Sequence, residues 1–67
     1  MIVRIENPDI FVGLDLKEAQ RRITDHGYET VVVSVDNKMR MTPQGGYDPL
    51  RVKLSLEKDK VTKAVIG

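Results

Sequence analysis

Residues 34–52, SVDNKMRMTPQGGYDPLRV, constrain this chain most. They lie between two strand-like runs. A tight hairpin needs only a few connecting residues. About 14 residues of loop permit a parallel strand pair instead, with a crossover made of loop rather than helix. Long loops without secondary structure are uncommon in compact domains and are usually functional or disordered. In a chain of 67 residues this stretch takes over a quarter of the length. If the chain carries a site, this is the place to expect it.

The rest of the chain has to build the fold around that loop. The first residues, 1–6, carry Ile2, Val3 and Ile5 and read as a short edge strand or a packed arm. Asn7-Pro8-Asp9 signals a turn. Ile10, Phe11 and Val12 form a short apolar run that Gly13 breaks. Asp15 is a good N-cap, and Glu18 stands at capping-box spacing from it. Leu16, Ala19 and Ile23 recur at helical spacing and leave Lys17, Gln20, Arg21, Arg22 and Asp25 outward. Arg21 and Arg22 suit the negative end of the helix dipole. Gly27 is a natural stop, so the pattern predicts a helix over 16–26.

Residues 28–35 follow, with Val31, Val32, Val33 and Val35 favouring a strand. Apolar residues at nearly every position predict burial on both faces. Beyond the loop, Leu50, Val52, Leu54 and Leu56 alternate with Arg51, Lys53 and Ser55, the signature of a half-buried strand. Glu57-Lys58-Asp59-Lys60 reads as a charged hairpin turn. A last strand over 61–66 follows, with Val61 and Val65 inward. These elements predict one α+β domain: a single helix packed on a small mixed β-sheet, with a long exposed loop, about 36–49, between two parallel strands.

Composition narrows the function classes. Eleven basic and ten acidic residues are interspersed and leave a formal charge of +1. That is no field for non-specific nucleic-acid binding, so no nucleic-acid partner is expected. No apolar run approaches the ~20 residues of a membrane span, and no membrane association is expected. Met1-Ile2-Val3-Arg4 lacks the long apolar run of a signal peptide, so the chain as given reads as cytoplasmic. With no cysteine and one histidine, neither a disulfide framework nor a usual zinc site is expected. Stability has to come from regular structure and a small aliphatic core.

Catalytic constellations are equally sparse. His26 would need a nucleophile and an orienting carboxylate, but Ser34 and Ser55 fall in strands and no nucleophile elbow is present. Beside Gly27, His26 reads as a residue of the helix C-terminus. Asp9, Asp15, Asp25, Asp36, Asp48 and Asp59 show no metal-loop spacing; Asp15 reads as a cap and Asp59 as a turn residue. Gly45-Gly46 is followed by Tyr47 and Asp48, not by the Lys-Ser/Thr of a phosphate loop. Lys38, Met39, Arg40 and Met41 read either as a basic, partly apolar recognition strip or as a disordered bridge. Neither a catalytic, a metal-binding nor a cofactor site is expected.

Order and residues together resemble a known family. Phe11-Val12-Gly13 precedes Asp15-Leu16-Lys17-Glu18-Ala19; a valine-rich strand, a long loop, Asp48, Leu50-Arg51-Val52 and Gly67 follow. This set resembles the potato type I serine protease inhibitors, the eglin-like group, and their small bacterial relatives. The resemblance runs from residue 7 onward. It implies a loop that a subtilisin- or chymotrypsin-like serine protease binds as a substrate and releases slowly. Rigidity lowers the entropy cost of such binding, and interfaces of this kind bury ~1,600 Å².

Carried over residue by residue, Thr42 and Asp48 keep the family's six-residue separation. Pro43 falls at the specificity position, and Gln44 follows the scissile bond where the family prefers an acidic residue. Gly45 and Gly46 stand at positions that are usually aromatic and basic. Pro49 occupies the first bracing-arginine position, and Arg51 retains the second. The implied protease-binding residues are thus Arg40, Met41, Thr42, Pro43, Gln44, Gly45, Gly46 and Tyr47, supported by Asp48, Arg51 and Gly67. A shifted register would place Arg40 or Met41 in the specificity pocket, directed at a trypsin-like or chymotrypsin-like enzyme. The competing expectation is a non-inhibitory protein-interaction module on the same scaffold, motivated by Pro43, Gly45, Gly46 and Pro49. The chain is expected to be a monomer, or a weak homo-oligomer through an exposed strand edge.

Overall fold

The computed structural model describes residues 2–39 and 46–67. Within them a short 3-10 helix, Pro8–Phe11, is followed by α1 (Leu16–Asp25), β1 (Glu29–Val35), β2 (Lys38–Met39), β3 (Arg51–Glu57) and β4 (Lys60–Ile66). The four strands form one mixed sheet in the order β2-β1-β3-β4. β1 and β3 are parallel, and the other two pairs are antiparallel. One helix on a small mixed sheet, with β1 and β3 parallel, is the architecture the sequence predicts.

Local chemistry explains the helix. Asp15 caps it by accepting from the Glu18 amide at 2.8 Å, which satisfies one of the orphan donors of the first turn. The reciprocal half of a capping box is not what Glu18 makes: its carboxylate accepts from Arg21 at 2.8 Å and Arg22 at 2.9 Å. Those two hydrogen bonds, the one from Arg22 first, hold the Glu18 carboxyl below its usual range. The helix ends at Asp25, with His26 as C-cap and Gly27 at φ 83°, one residue before the predicted end. Ala19 and Ile23 are fully buried, and Leu16 is half-buried.

Residues 2–6 are a packed arm, not a strand. The Val3 amide donates to the His26 carbonyl at 3.0 Å. The His26 Nδ1 lies 2.8 Å from the Val3 carbonyl; a carbonyl only accepts, so this nitrogen carries the proton. Farther along, the Ile5 amide donates to the Tyr28 hydroxyl at 3.1 Å. The His26 ring stands edge-on to both Phe11 and Tyr28. His26 therefore sits at the helix C-terminus, as predicted, and also ties the arm to it.

The core lies between α1 and one face of the sheet. Phe11, Ala19, Ile23, Val52, Leu54 and Val61 are at most 1% exposed. Paired residues in neighbouring strands share a face, so Val32, Leu54 and Ala64 point together toward the helix. Three sequence readings need correction. β1 is half-buried along nearly its whole length instead of fully buried on both faces, because α1 covers one face only and β2 covers its edge only at Ser34 and Val35. Leu50 is 38% exposed; it belongs to the turn before β3, so the inward alternation starts at Val52. Val65 is 39% exposed and Ala64 takes its place in the core. Pairing jumps from Ser55↔Lys63 to Leu56↔Val61, so Thr62 is an extra residue that reverses the alternation.

The predicted Glu57–Lys60 hairpin is present. Lys58 and Asp59 both have positive φ, 51° and 65°, as a two-residue turn between right-twisted strands requires. The start of β4 is covered by the chain leaving the 3-10 helix: the Gly13 amide donates to Val61 and the Val61 amide to Leu14, both at 2.8 Å. No helix among the described residues is long and apolar enough to cross a membrane.

Candidate functional site

The chain ends β1 at Val35 and enters β3 at Arg51, at opposite ends of the parallel pair. The parallel pairing demands this, because Val35 lies beside Leu56 and Glu29 beside Arg51. The departure is more ordered than a plain loop. Asp36 and Asn37 have φ of 50° and 65° and form a second two-residue turn, which short polar side chains tolerate. Lys38 and Met39 then run back along β1. They are strand residues with exposed side chains, so neither the recognition-strip nor the bridge reading of positions 38 and 39 anticipated their pairing.

Asp36 pins this first foot of the loop. Its amide donates to the Leu56 carbonyl at 2.8 Å, and its Oδ1 accepts from the Lys58 amide at 2.9 Å. The turn that starts the loop is thereby hooked to the β3–β4 turn. In the sequence Asp36 is only a carboxylate without metal spacing. The available signal was Asp-Asn at the end of a β-branched run, a pair suited to positive φ.

The second foot is built around Arg51, which is 8% exposed. Its Nε and Nη2 donate to the Gly67 carbonyl at 3.2 and 2.8 Å. The same Nη2 donates to the Gly46 carbonyl. Gly67 closes the arrangement by donating its amide to the Arg51 carbonyl at 2.9 Å and accepting from the Asp48 amide at 3.3 Å. The Asp48 side chain accepts from the Leu50 amide at 2.9 Å, and its carbonyl from the Arg51 amide at 3.2 Å. This local hydrogen bonding mimics a backbone turn and sets the direction from which the chain enters β3.

Arg51, Asp48, Gly67 and Gly46 are thus brought together. Arg51 was expected on an outward face and is buried there by its carbonyl partners. A planar guanidinium suits that geometry, since it projects several donors in fixed directions. Tyr47 is 72% exposed, and Pro49 is also exposed. Arg40, Met41, Thr42, Pro43, Gln44 and Gly45 lie outside the described residues. Among the described residues, no group of three His, Cys, Asp or Glu side chains is arranged to hold a metal ion. Neither a family model, nor a curated protein, nor a solved structure matches the chain.

Proposed function

We propose that this chain is a serine protease inhibitor-like protein that presents residues 36–49 to a protease active site as a substrate mimic. One observation carries the reading: Arg51 bridges the Gly46 carbonyl of the loop to the Gly67 carbonyl at the end of β4. Fixing a residue's backbone costs ~1–2 kcal/mol. A loop whose feet are held before binding has less of that cost to meet when a protease closes on it. After a cut, held feet also keep the new ends near each other, which favours religation over release.

In this reading Thr42, Pro43 and Gln44 span the scissile region. Arg40, Met41, Gly45, Gly46 and Tyr47 flank it, and Asp48, Arg51 and Gly67 support it. The partner is a subtilisin- or chymotrypsin-like serine protease. The second reading, a non-inhibitory interaction module, is favoured by position 49. There an exposed proline stands where the resemblance expects a bracing arginine, and one guanidinium is left to hold the second foot.

A titration against subtilisin, chymotrypsin and trypsin, with mass spectrometry of the products, separates the two. Tight inhibition with any slow cut confined to residues 40–45 is the expected result, and the cut fixes the register. Rapid cleavage there, as in an ordinary substrate, or no inhibition of any of the three, would overturn the inhibitor reading in favour of the module.

A further inference from the structure

The second foot has a cover that the arginine pattern does not anticipate. Lys53 stands two residues after Arg51 on β3, paired with Val31 and Val65 on the face away from the helix. Its side chain reaches over Gly67: a Cβ on that glycine would sit 3.3 Å from both Lys53 Cε and Nζ. The same point lies 3.5 Å from Tyr47 Cδ1. Lysine tip and tyrosine ring therefore converge on the space where Gly67 lacks a side chain. Gly67 also has φ 149°, within the region that favours glycine.

We propose that Lys53 and Tyr47 form a two-part cover over Gly67 that shields the Arg51–Gly67–Asp48 hydrogen bonds from water and so holds the second foot of the loop. The inference rests on the reading of residues 36–49 as the working loop. Its physical basis is the amphipathic character of lysine. A lysine can lay its methylenes along neighbouring surface, and here the outermost methylene and the ammonium together lie at Gly67. Lys53 is half-buried, whereas its cover partner Tyr47 is exposed as a residue and contributes only a ring edge. Hydrogen bonds from which water is excluded are stronger. The cover thus adds to the hold that Arg51 provides and offsets the absence of a guanidinium at Pro49. Lys53 is a positioning residue here, acting on the foot and not on a protease.

Amide hydrogen exchange on the free protein tests this. The amides that report are Asp48, which donates to Gly67, and Gly67, which donates to Arg51; Leu54 in the central strand β3 is the reference. Lys53→Ala is expected to raise exchange at Asp48 and Gly67 about tenfold through local opening, with Leu54 unchanged. Lys53→Met keeps the stem and is expected to stay within about twofold of the parent. Unchanged exchange at both reporters in Lys53→Ala would overturn the proposal, and so would an equal rise at Leu54 or loss of protection in Lys53→Met. No protease enters the measurement. Local opening in Lys53→Ala, together with failure to inhibit any protease, would leave the cover standing and remove the inhibitor reading alone.

Discussion

Arg51→Ala is the most direct perturbation of the second foot. It removes three donated hydrogen bonds, two to Gly67 and one to Gly46. A hydrogen bond to a charged group contributes roughly 1.5–3 kcal/mol net. The three do not add fully, because Gly67 keeps a donor from Asp48 and the exposed Gly46 can turn to water. The net loss is therefore expected to be about 2–3 kcal/mol, close to that of a single strong bond plus part of a second. A domain of this size holds about 3–10 kcal/mol in total, so the variant loses a large part of its margin. At ~4–8 °C per kcal/mol, its melting temperature should fall by about 8–24 °C. Urea unfolding gives the free energy, and the slope m checks that the transition stays two-state. Proteolysis of the free protein should also speed up near Gly46. Arg51→Lys keeps the charge but not the fork, and should fall between parent and alanine. An alanine variant within about 0.5 kcal/mol of the parent, the range of an ordinary surface substitution, would refute the bracing argument.

Two further perturbations test the rest of the structure. Asp36→Ala removes the acceptor for Lys58 and places alanine at φ 50°; it should cost about 1–2 kcal/mol in urea unfolding, whereas Asp36→Asn, which keeps an oxygen and tolerates positive φ, should stay within about 0.5 kcal/mol. Equal stabilities for the two would show that the hook to Lys58 contributes nothing. Glu18 has a folded pKa below its usual 4.5, through the hydrogen bonds from Arg22 and Arg21. Its stabilising contribution is therefore complete above that value and lost as pH falls through the folded pKa. The Glu18→Gln variant should lack this part of the acid-induced loss. Added salt should shrink the difference, since the pair is exposed, and identical pH profiles for parent and variant at low salt would count against the ion pairs.

What was legible in the sequence follows from which interactions are local. Asp15, the stripe of Leu16, Ala19 and Ile23, and Gly27 define a helix through contacts a few residues apart, so the prediction erred only at its last residue. Alternation in Val52, Leu54 and Leu56 revealed β3 for the same reason. Ala64 replaced Val65 in the core because Thr62 is an extra residue, and a bulge leaves no mark in a periodic pattern. The site divided the same way. Arg51 was singled out only through the family resemblance, since its alternation alone placed it outward. Gly67 is buried against Arg51 across 16 positions of chain, and Asp36 meets Lys58 across 22. Such pairs depend on sheet register, which no local spacing encodes.

Loop length is a weaker argument for function in this topology than it first looks. Two parallel strands of seven residues oblige the chain to travel back about 23 Å at ~3.3 Å per residue before it can start again. Turning residues come in addition, and crossovers of a dozen or more residues are usual for parallel pairs. The stretch from Asp36 to Leu50 is thus close to what the sheet itself requires. What topology does not require is the way both ends are fastened. A crossover needs no buried guanidinium joining Gly46 to Gly67 and no carboxylate hooking its first turn to Lys58. Natural chains hold buried charge against its desolvation cost only with good partners, and Arg51 spends all three of these hydrogen bonds on the foot of the loop and the end of β4. The case for residues 36–49 as the working part of the molecule therefore rests on Asp36, Arg51 and Gly67 rather than on the length of chain between them.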